Sequence, residues 1–240
     1  RRYEHLAEII ALGNLFNFVG KKKKLSESTL LEVGAGFGRL AKFYLPLVKK
    51  AVLLEPSKKL IDLGQKQLAG FHNFSYLKSY AEDIDKLKQK FDLVCLVRVL
   101  HHLENPFLVF QKIYQETLKD DGFLILEIPN KFSFKLVLLN LFKGNFSYFC
   151  QARVDRRSAL KRRKDVIPFY NYSPSQIEEE LREIGFQKIK KLSVSNFRSP
   201  FLKKIFPLKV LLIFEKLFQP ILGFLNFGPS IFLLLTKSSK

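Results

Sequence analysis

The stretch Glu32-Val33-Gly34-Ala35-Gly36-Phe37-Gly38 closes a short apolar run that begins at Thr29. An apolar run that ends at once in three alternating glycines reads as a strand turning sharply into a helix. Glycine permits the tight turn and lets the backbone approach a ligand closely. A dinucleotide-binding turn would read G-x-G-x-x-G, with a phosphate on the helix N-terminus. Here the spacing is G-x-G-x-G, and an acid stands two residues before the first glycine. Glu32 would repel a pyrophosphate but suits a cationic ligand.

Downstream, the pattern alternates. Leu40, Phe43 and Tyr44 continue as a helix that Pro46 closes, and residues 51–54 form a second strand. Pro56 and Ser57 open the next helix. Strands follow at 74–77, 91–97 and 123–128, with a helix at 106–118 and a turn at Asp121-Gly122. Uninterrupted runs such as LVCLV at 93–97 suit parallel strands buried on both faces. Strict alternation of this kind predicts a doubly wound α/β sheet. Ligands in such sheets lie beyond the carboxyl ends of the strands. The glycine turn, Glu55, Ala81-Glu82 and Val97-Arg98 all fall at those ends, so they are expected to share one crevice.

Flanking segments are less regular. Residues 4–19 place Leu6, Ile9, Ile10, Gly13 and Phe16 at helical spacing, and the Lys21–24 run links that helix to the sheet. Residues 129–172 leave the fifth strand above the crevice, as a lid would. They carry an apolar helix at 131–143, then the basic run Arg153, Arg156, Arg157, Lys161, Arg162, Arg163 and Lys164. Ser173-Pro174-Ser175-Gln176 offers an N-cap and a capping box for a helix that Gly185 ends, and strands follow at 186–194 and 231–236. Between these strands lies a very apolar insertion, 197–228. Leu208, Val210, Leu211, Ile213, Phe214, Leu217 and Phe218 cover one helical arc there. Lys209, Glu215, Lys216 and Gln219 occupy the other side, with Pro207 and Pro220 as bounds. An apolar arc edged by lysines suits a membrane interface, while a self-packed helix or a dimer contact would show the same pattern.

EVGAGFG at 32–38, LLEPS at 53–57, YAED at 80–83, FDLVCLVRVLHHLENP at 91–106 and LKDDGFLILEIPN at 118–130 resemble the successive motifs of class I S-adenosylmethionine-dependent methyltransferases. Within them the chain resembles the broad group that includes the quinone-biosynthesis methyltransferases. The resemblance is close over 28–130 and looser at 171–174, Gly185-Phe186 and the last strand. It implies a Rossmann-like α/β sheet of seven strands in the order 3-2-1-4-5-7-6, with strand 7 antiparallel. It also implies S-adenosyl-L-methionine as cofactor. Glu32, Gly34, Ala35, Gly36 and Gly38 would line its methionine and ribose, Glu55 would bind the ribose hydroxyls and Pro56 would pack near the adenine. Ala81 and Glu82 would meet the adenine edge, and Val97 and Arg98 the methionine moiety. Tyr80 stands where many relatives carry an aspartate.

A sulfonium methyl is already activated, so catalysis in this group is mainly positional, with a base adding about 10²–10⁴-fold for some acceptors. His101 and His102 are the candidate bases, against the plainer reading that they pack the following turn. Arg98 is a candidate for holding an anionic acceptor, and Tyr3, Tyr170 and Tyr172 for lining its pocket. No Asn-Pro-Pro-Tyr-like motif ends the fourth strand, which disfavours exocyclic amines of nucleobases. No Cys/His cluster has metal-ligand spacing.

With 41 Lys and Arg against 22 Asp and Glu, the chain has a net charge of +19. Such a charge attracts nucleic acid, anionic lipid or phosphorylated substrates. Two cysteines cannot build a disulfide framework, so a cytoplasmic setting is expected; for 197–228, peripheral membrane contact stands as one reading beside self-packing and a dimer contact. The chain opens on Arg1 and contains no methionine, so its start is expected upstream. The expected function is methylation of oxygen or carbon on a small-molecule or lipid-linked acceptor. The alternatives are an RNA methyltransferase and a cofactor-binding interaction module without turnover.

Overall fold

The computed structural model describes residues 2–158 and 168–238. A long helix α1 (Arg2–Gly20) precedes β1 (Thr29–Val33), the short helix α2 (Ala41–Tyr44), β2 (Lys50–Leu54), α3 (Lys58–Gln67) and β3 (Phe74–Leu77). Then come β4 (Phe91–Leu96), α4 (Pro106–Lys112) and the long strand β5 (Leu118–Pro129). The lid holds α5 (Phe134–Phe142), α6 (Ser147–Cys150), β6 (Arg153–Asp155) and β7 (Tyr170–Tyr172). Next, α7 (Pro174–Ile184) leads into β8 (Phe186–Val194). Two helices, α8 (Pro200–Ile205) and α9 (Leu208–Phe224), separate β8 from β9 (Ser230–Lys237).

The main sheet has the order β3-β2-β1-β4-β5-β9-β8, while β6 and β7 pair separately in the lid. Strand β9 runs antiparallel between β5 and β8. Setting the lid pair aside, this is the expected order 3-2-1-4-5-7-6 with strand 7 reversed.

Period-2 alternation divides the core. Leu30, Leu53, Leu93, Cys95, Ile125 and Leu234 face the side covered by α1, α2 and α9. Leu31, Leu54, Val94, Leu96, Leu126 and Leu233 face the side covered by α4 and α7. The helix starts are capped locally. Ser57 Oγ accepts from Leu60 N at 3.4 Å, and Asn105 Oδ1 accepts from Leu108 N at 3.2 Å, with Pro106 at the first turn of α4.

Several local expectations are corrected. Asp121-Gly122 lies within β5, where Phe91 pairs with Leu118 but Leu93 with Phe123. The extra residues bulge, and a Cβ at Gly122 would sit 2.7 Å from Leu118 Cδ1. The helix at 106–118 ends at Lys112 and finishes in a π-turn over Ile113–Thr117. Ser173 begins α7 without a side-chain capping bond, so no capping box forms.

The buried face of α1 is Tyr3, Ala7, Glu8, Ala11, Leu12, Leu15, Phe16 and Val19, rotated from the expected stripe. The helix is flanked by the sheet on one side and α9 on another, so small residues mark its closest contacts. Helix α9 runs through Pro220, and Glu215 and Gln219 lie on its buried side. Lys161, Arg162, Arg163 and Lys164 lie outside the described residues. Of the rest of the basic run, Arg153 stacks over Tyr170 at 4.3 Å and Arg157 pairs with Asp155 at 2.8 Å.

Candidate active site

The turn after β1 holds Gly34, Gly36 and Gly38 at φ of +68°, +57° and +73°. A Cβ at Gly34 would lie 2.3 Å from Val99 Cγ2, and one at Gly38 would lie 2.6 Å from Leu68 Cδ1. At Gly36 a Cβ would meet nothing within 4 Å. The outer glycines are thus fixed by the protein's own packing, and the middle one borders open space. That space is a cleft lined by Glu32, Gly34, Ala35, Gly36, Arg39, Val97 and Arg98, among others.

Four buried carboxylates surround it. Glu55 accepts from Gly36 N and from Ser57 N, both at 2.9 Å, so it ties the glycine turn to the start of α3. Glu32 accepts a hydrogen bond from the Tyr44 hydroxyl. Burial pushes the Glu32 carboxyl up to about 7, against the opposing pull of Tyr44 and the Arg39 charge. Glu8, on α1, pairs with Arg39 at 2.7 Å and accepts from Arg98 Nε at 2.7 Å. Glu127, on β5, accepts from Arg98 N at 3.0 Å. Burial raises its pKa, and the Glu8 charge adds to the effect.

Arg98 itself sits at φ +61°, a left-handed turn out of β4 that Glu127 holds through the main chain. Arg39 also meets His5 Nδ1 at 2.7 Å. Burial, then the Arg39 charge, lowers the pKa of His5, in keeping with a neutral ring accepting from the guanidinium.

The structure therefore brings Glu32, Gly34, Ala35, Gly36, Val97 and Arg98 to one crevice, with Glu55 bonded to Gly36 N and Gly38 packed against Leu68 and Tyr76. Pro56 follows Glu55 at its edge, half-buried. Ala81 is buried beyond β3, and the Glu82 carbonyl accepts from Lys112 Nζ. Tyr80 is exposed. Glu8, Arg39, Tyr44, Tyr76 and Glu127 are additions that sequence reasoning missed. Tyr76 Oη donates to Gly36 O at 3.2 Å and lies against Gly38 and Gly64, shaping the turn from the β3 side.

The two histidines differ. His101 is buried under Phe169, with ring centroids 4.4 Å apart. Burial, then His102 and Arg98, push its pKa down to about 3. His102 is exposed, and its Nδ1 lies 2.9 Å from Pro168 O. Tyr3 points away from the crevice and donates to Glu215 of α9. Tyr172 is buried, with its hydroxyl 3.4 Å from Leu103 O, and Tyr170 stacks with Arg153.

A seven-stranded sheet of this order, with a G-x-G-x-G turn and acids at the ends of β1 and β2, defines a Rossmann-like class I methyltransferase, the S-adenosylmethionine-dependent kind. The chain belongs to the methyltransferase domain family, whose model matches residues 3–191. It is 26% identical over 172 residues to the tRNA 5-carboxymethoxyuridine methyltransferase of Escherichia coli O157:H7, a match covering 70% of this chain and 63% of that protein.

Two solved structures share the fold. Magnesium protoporphyrin IX methyltransferase from Synechocystis PCC 6803, with bound SAH, aligns at a TM-score of 0.64 and 16% identity, over 99% of this chain and 86% of that one. An S-adenosylmethionine-dependent methyltransferase structure from Listeria monocytogenes aligns at 0.63 and 16% identity, over 90% and 93%. The donor set fits the cofactor of this fold. Glu32 borders the cleft, Glu55 is bonded to the main chain of the glycine turn, and Gly36 leaves room for a ligand between them.

Proposed function

We propose that the chain transfers a methyl group from S-adenosylmethionine to an oxygen or carbon of a small-molecule or lipid-linked acceptor. The observation that carries this reading is the set of buried carboxylates, Glu8, Glu32, Glu55 and Glu127, around the glycine turn. In a chain of net charge +19 this is a local reversal of field, matched to a ligand bearing a sulfonium and an ammonium. The cofactor supplies a methyl group already activated on sulfur.

The protein's own residues position and exclude water. Glu55 would accept the ribose hydroxyls while its amide bonds hold it rigid, and Pro56 would pack near the adenine. Ala81 and Glu82 would border the adenine edge, and the glycine turn with Val97 and Arg98 would seat the methionine moiety beside Glu32. Of the two histidines, His102 is the better base, because His101 is buried and its pKa is pushed far down. Arg98, at the end of β4 and lining the cleft, would hold an acceptor with an anionic group, its guanidinium being oriented by Glu8.

Calorimetric titration with S-adenosylhomocysteine tests the cofactor site. Binding by the wild type that is lost in Glu55→Ala and Gly36→Val is the expected result. Absence of binding by folded wild type overturns the reading. Labelled cofactor incubated with lipid, small-molecule and RNA fractions then identifies the acceptor.

RNA is the second reading, favoured by the Escherichia coli relative named as a tRNA methyltransferase and by the basic lid. It requires salt-sensitive RNA binding and label in the RNA fraction.

A further inference from the structure

Helix α9 is turned inside out. Its buried line is Leu211, Glu215, Gln219 and Gly223, and its outermost line is Ile213, Leu217, Ile221 and Phe224. Glu215 and the Gln219 amide nitrogen are engaged inward, while Gln219 Oε1 is buried without a hydrogen-bond partner. Glu215 accepts from the Tyr3 hydroxyl, from Ser195 N at 2.7 Å and from Asn196 N at 3.0 Å. Gln219 Nε2 donates to Ala7 O at 2.9 Å. Gly223 packs so closely on β8 that a Cβ would lie 2.6 Å from Lys191 O.

The outward line is 57%, 61%, 62% and 86% exposed along its length. That is a continuous apolar ridge, which water does not tolerate well on an isolated surface. It extends at both ends. Phe206, after α8, meets Phe214 edge-on at 6.3 Å, and beyond α9 Phe227 stacks on Phe134 of α5 at 5.0 Å. On α5, Phe142 is 87% exposed.

Charge identifies what covers the ridge. Among the described residues, 129–158, 168–172 and 197–228 together hold 11 Lys and Arg but only two Asp and Glu. Within 197–228 the one acid is Glu215, which is buried. Lys204, Lys209 and Lys216 are exposed beside the ridge. A second copy docked about a two-fold axis would bring this lysine rim against its own image. An anionic bilayer instead offers acyl chains to the ridge and headgroups to the rim. None of the described helices is long and apolar enough to cross a membrane.

We infer that the outer face of α9, continued by α8 and α5, docks the protein flat on the surface of an anionic lipid bilayer. The segment that follows α9 is tied to the root of the lid. The Asn226 and Gly228 carbonyls that follow α9 accept from Asn130 Nδ2 at 2.6 and 2.8 Å, at the root of the lid. The inference goes beyond the methyl-transfer reading and does not depend on it.

The test is co-sedimentation with vesicles of phosphatidylcholine alone and of phosphatidylcholine mixed with phosphatidylglycerol. It compares the wild type with a Leu217→Gln, Ile221→Gln, Phe224→Ser triple variant. The triple variant keeps the net charge and alters only exposed side chains, and its fold is checked by circular dichroism and S-adenosylhomocysteine binding. The expected result is binding of wild type to the anionic vesicles, weakened about ten-fold or more in the triple variant. Lys204→Gln, Lys209→Gln, Lys216→Gln should weaken binding at low salt and bring it near the wild-type level at high salt.

Equal binding by wild type and the apolar variant would mean adhesion by net charge alone and overturns the inference. So does absence of wild-type binding, whether the protein is then a monomer, a dimer broken by the triple variant, or an RNA binder.

Discussion

Glu32 should make cofactor affinity depend on pH in a range where most carboxylates are silent. Its carboxyl is fully buried and pushed from 4.5 up to about 7, so near neutrality it is part protonated in the cofactor-free protein. The ligand's ammonium beside it favours the carboxylate, so binding expels the proton. With a pKa near 7, about nine-tenths of the sites are ionised at pH 8 and about one-tenth at pH 6. Affinity for S-adenosylhomocysteine should therefore fall about ten-fold from pH 8 to pH 6. Calorimetry in buffers of different ionisation enthalpy should register proton release over the same span.

Glu32→Gln keeps a partner for the Tyr44 hydroxyl but cannot ionise. It should bind more weakly at pH 8 and lose the slope. Any titration of the ligand itself appears in both proteins and cancels in the comparison. The stability of the cofactor-free protein supplies the opposite sign. A raised carboxyl pKa stabilises the fold below about 4.5, and that contribution is lost as pH rises through about 7. The difference amounts to about 3 kcal/mol, so Glu32→Gln should unfold at higher temperature than wild type at pH 8. A flat affinity profile in wild type, or the same slope in Glu32→Gln, would refute the reasoning.

Gly34→Ala should destabilise by about 2–4 kcal/mol in denaturant titration, through its contact with Val99 and its positive φ. Adding Val99→Ala should recover only the steric part. Burial would raise the pKa of Asp92, but the Thr29 amide, Lys119 and Lys23 outweigh it and hold the carboxyl well below the usual range. Its stabilisation is present above the unfolded pKa and lost in acid, so Asp92→Asn should lower Tm at pH 7 and flatten the fall in Tm below about pH 4. Once an acceptor is in hand, His102→Gln should lower kcat by about 10²-fold or more at unchanged S-adenosylhomocysteine affinity. A kcat loss confined to His101→Gln would reverse the roles.

The sheet was legible because its signals are local. Parallel strands buried on both faces appear as unbroken runs, and the G-x-G-x-G turn marks where the first of them stops. Glu32 and Glu55 could be placed because they end strands. Glu8 and Glu127 could not, since each needs a partner distant in sequence to explain it, and both converge on Arg98. Their signal was present as a fault in a pattern. Glu127 interrupts the apolar run of β5, and Glu8 falls on the face of α1 marked by Ala7 and Ala11. A lone acid in a stripe that otherwise buries is costly unless a cation waits for it.

Helix α9 shows a different limit. Periodicity states which residues share a face of a helix, but not which face turns inward. The apolar arc would ordinarily be assigned to the core. The deciding group lies elsewhere, at Ser195, whose φ of +67° ends β8 in a turn. The backbone N–H groups of Ser195 and Asn196 need an acceptor in a buried setting, as does the Tyr3 hydroxyl of α1. Glu215 satisfies all three, and Gln219 one turn on satisfies the Ala7 carbonyl. Leucine at either position would leave those groups unpaired, at about 1–3 kcal/mol each. Polar accounting thus fixes the rotation of the helix, and the apolar ridge stands outside because of it.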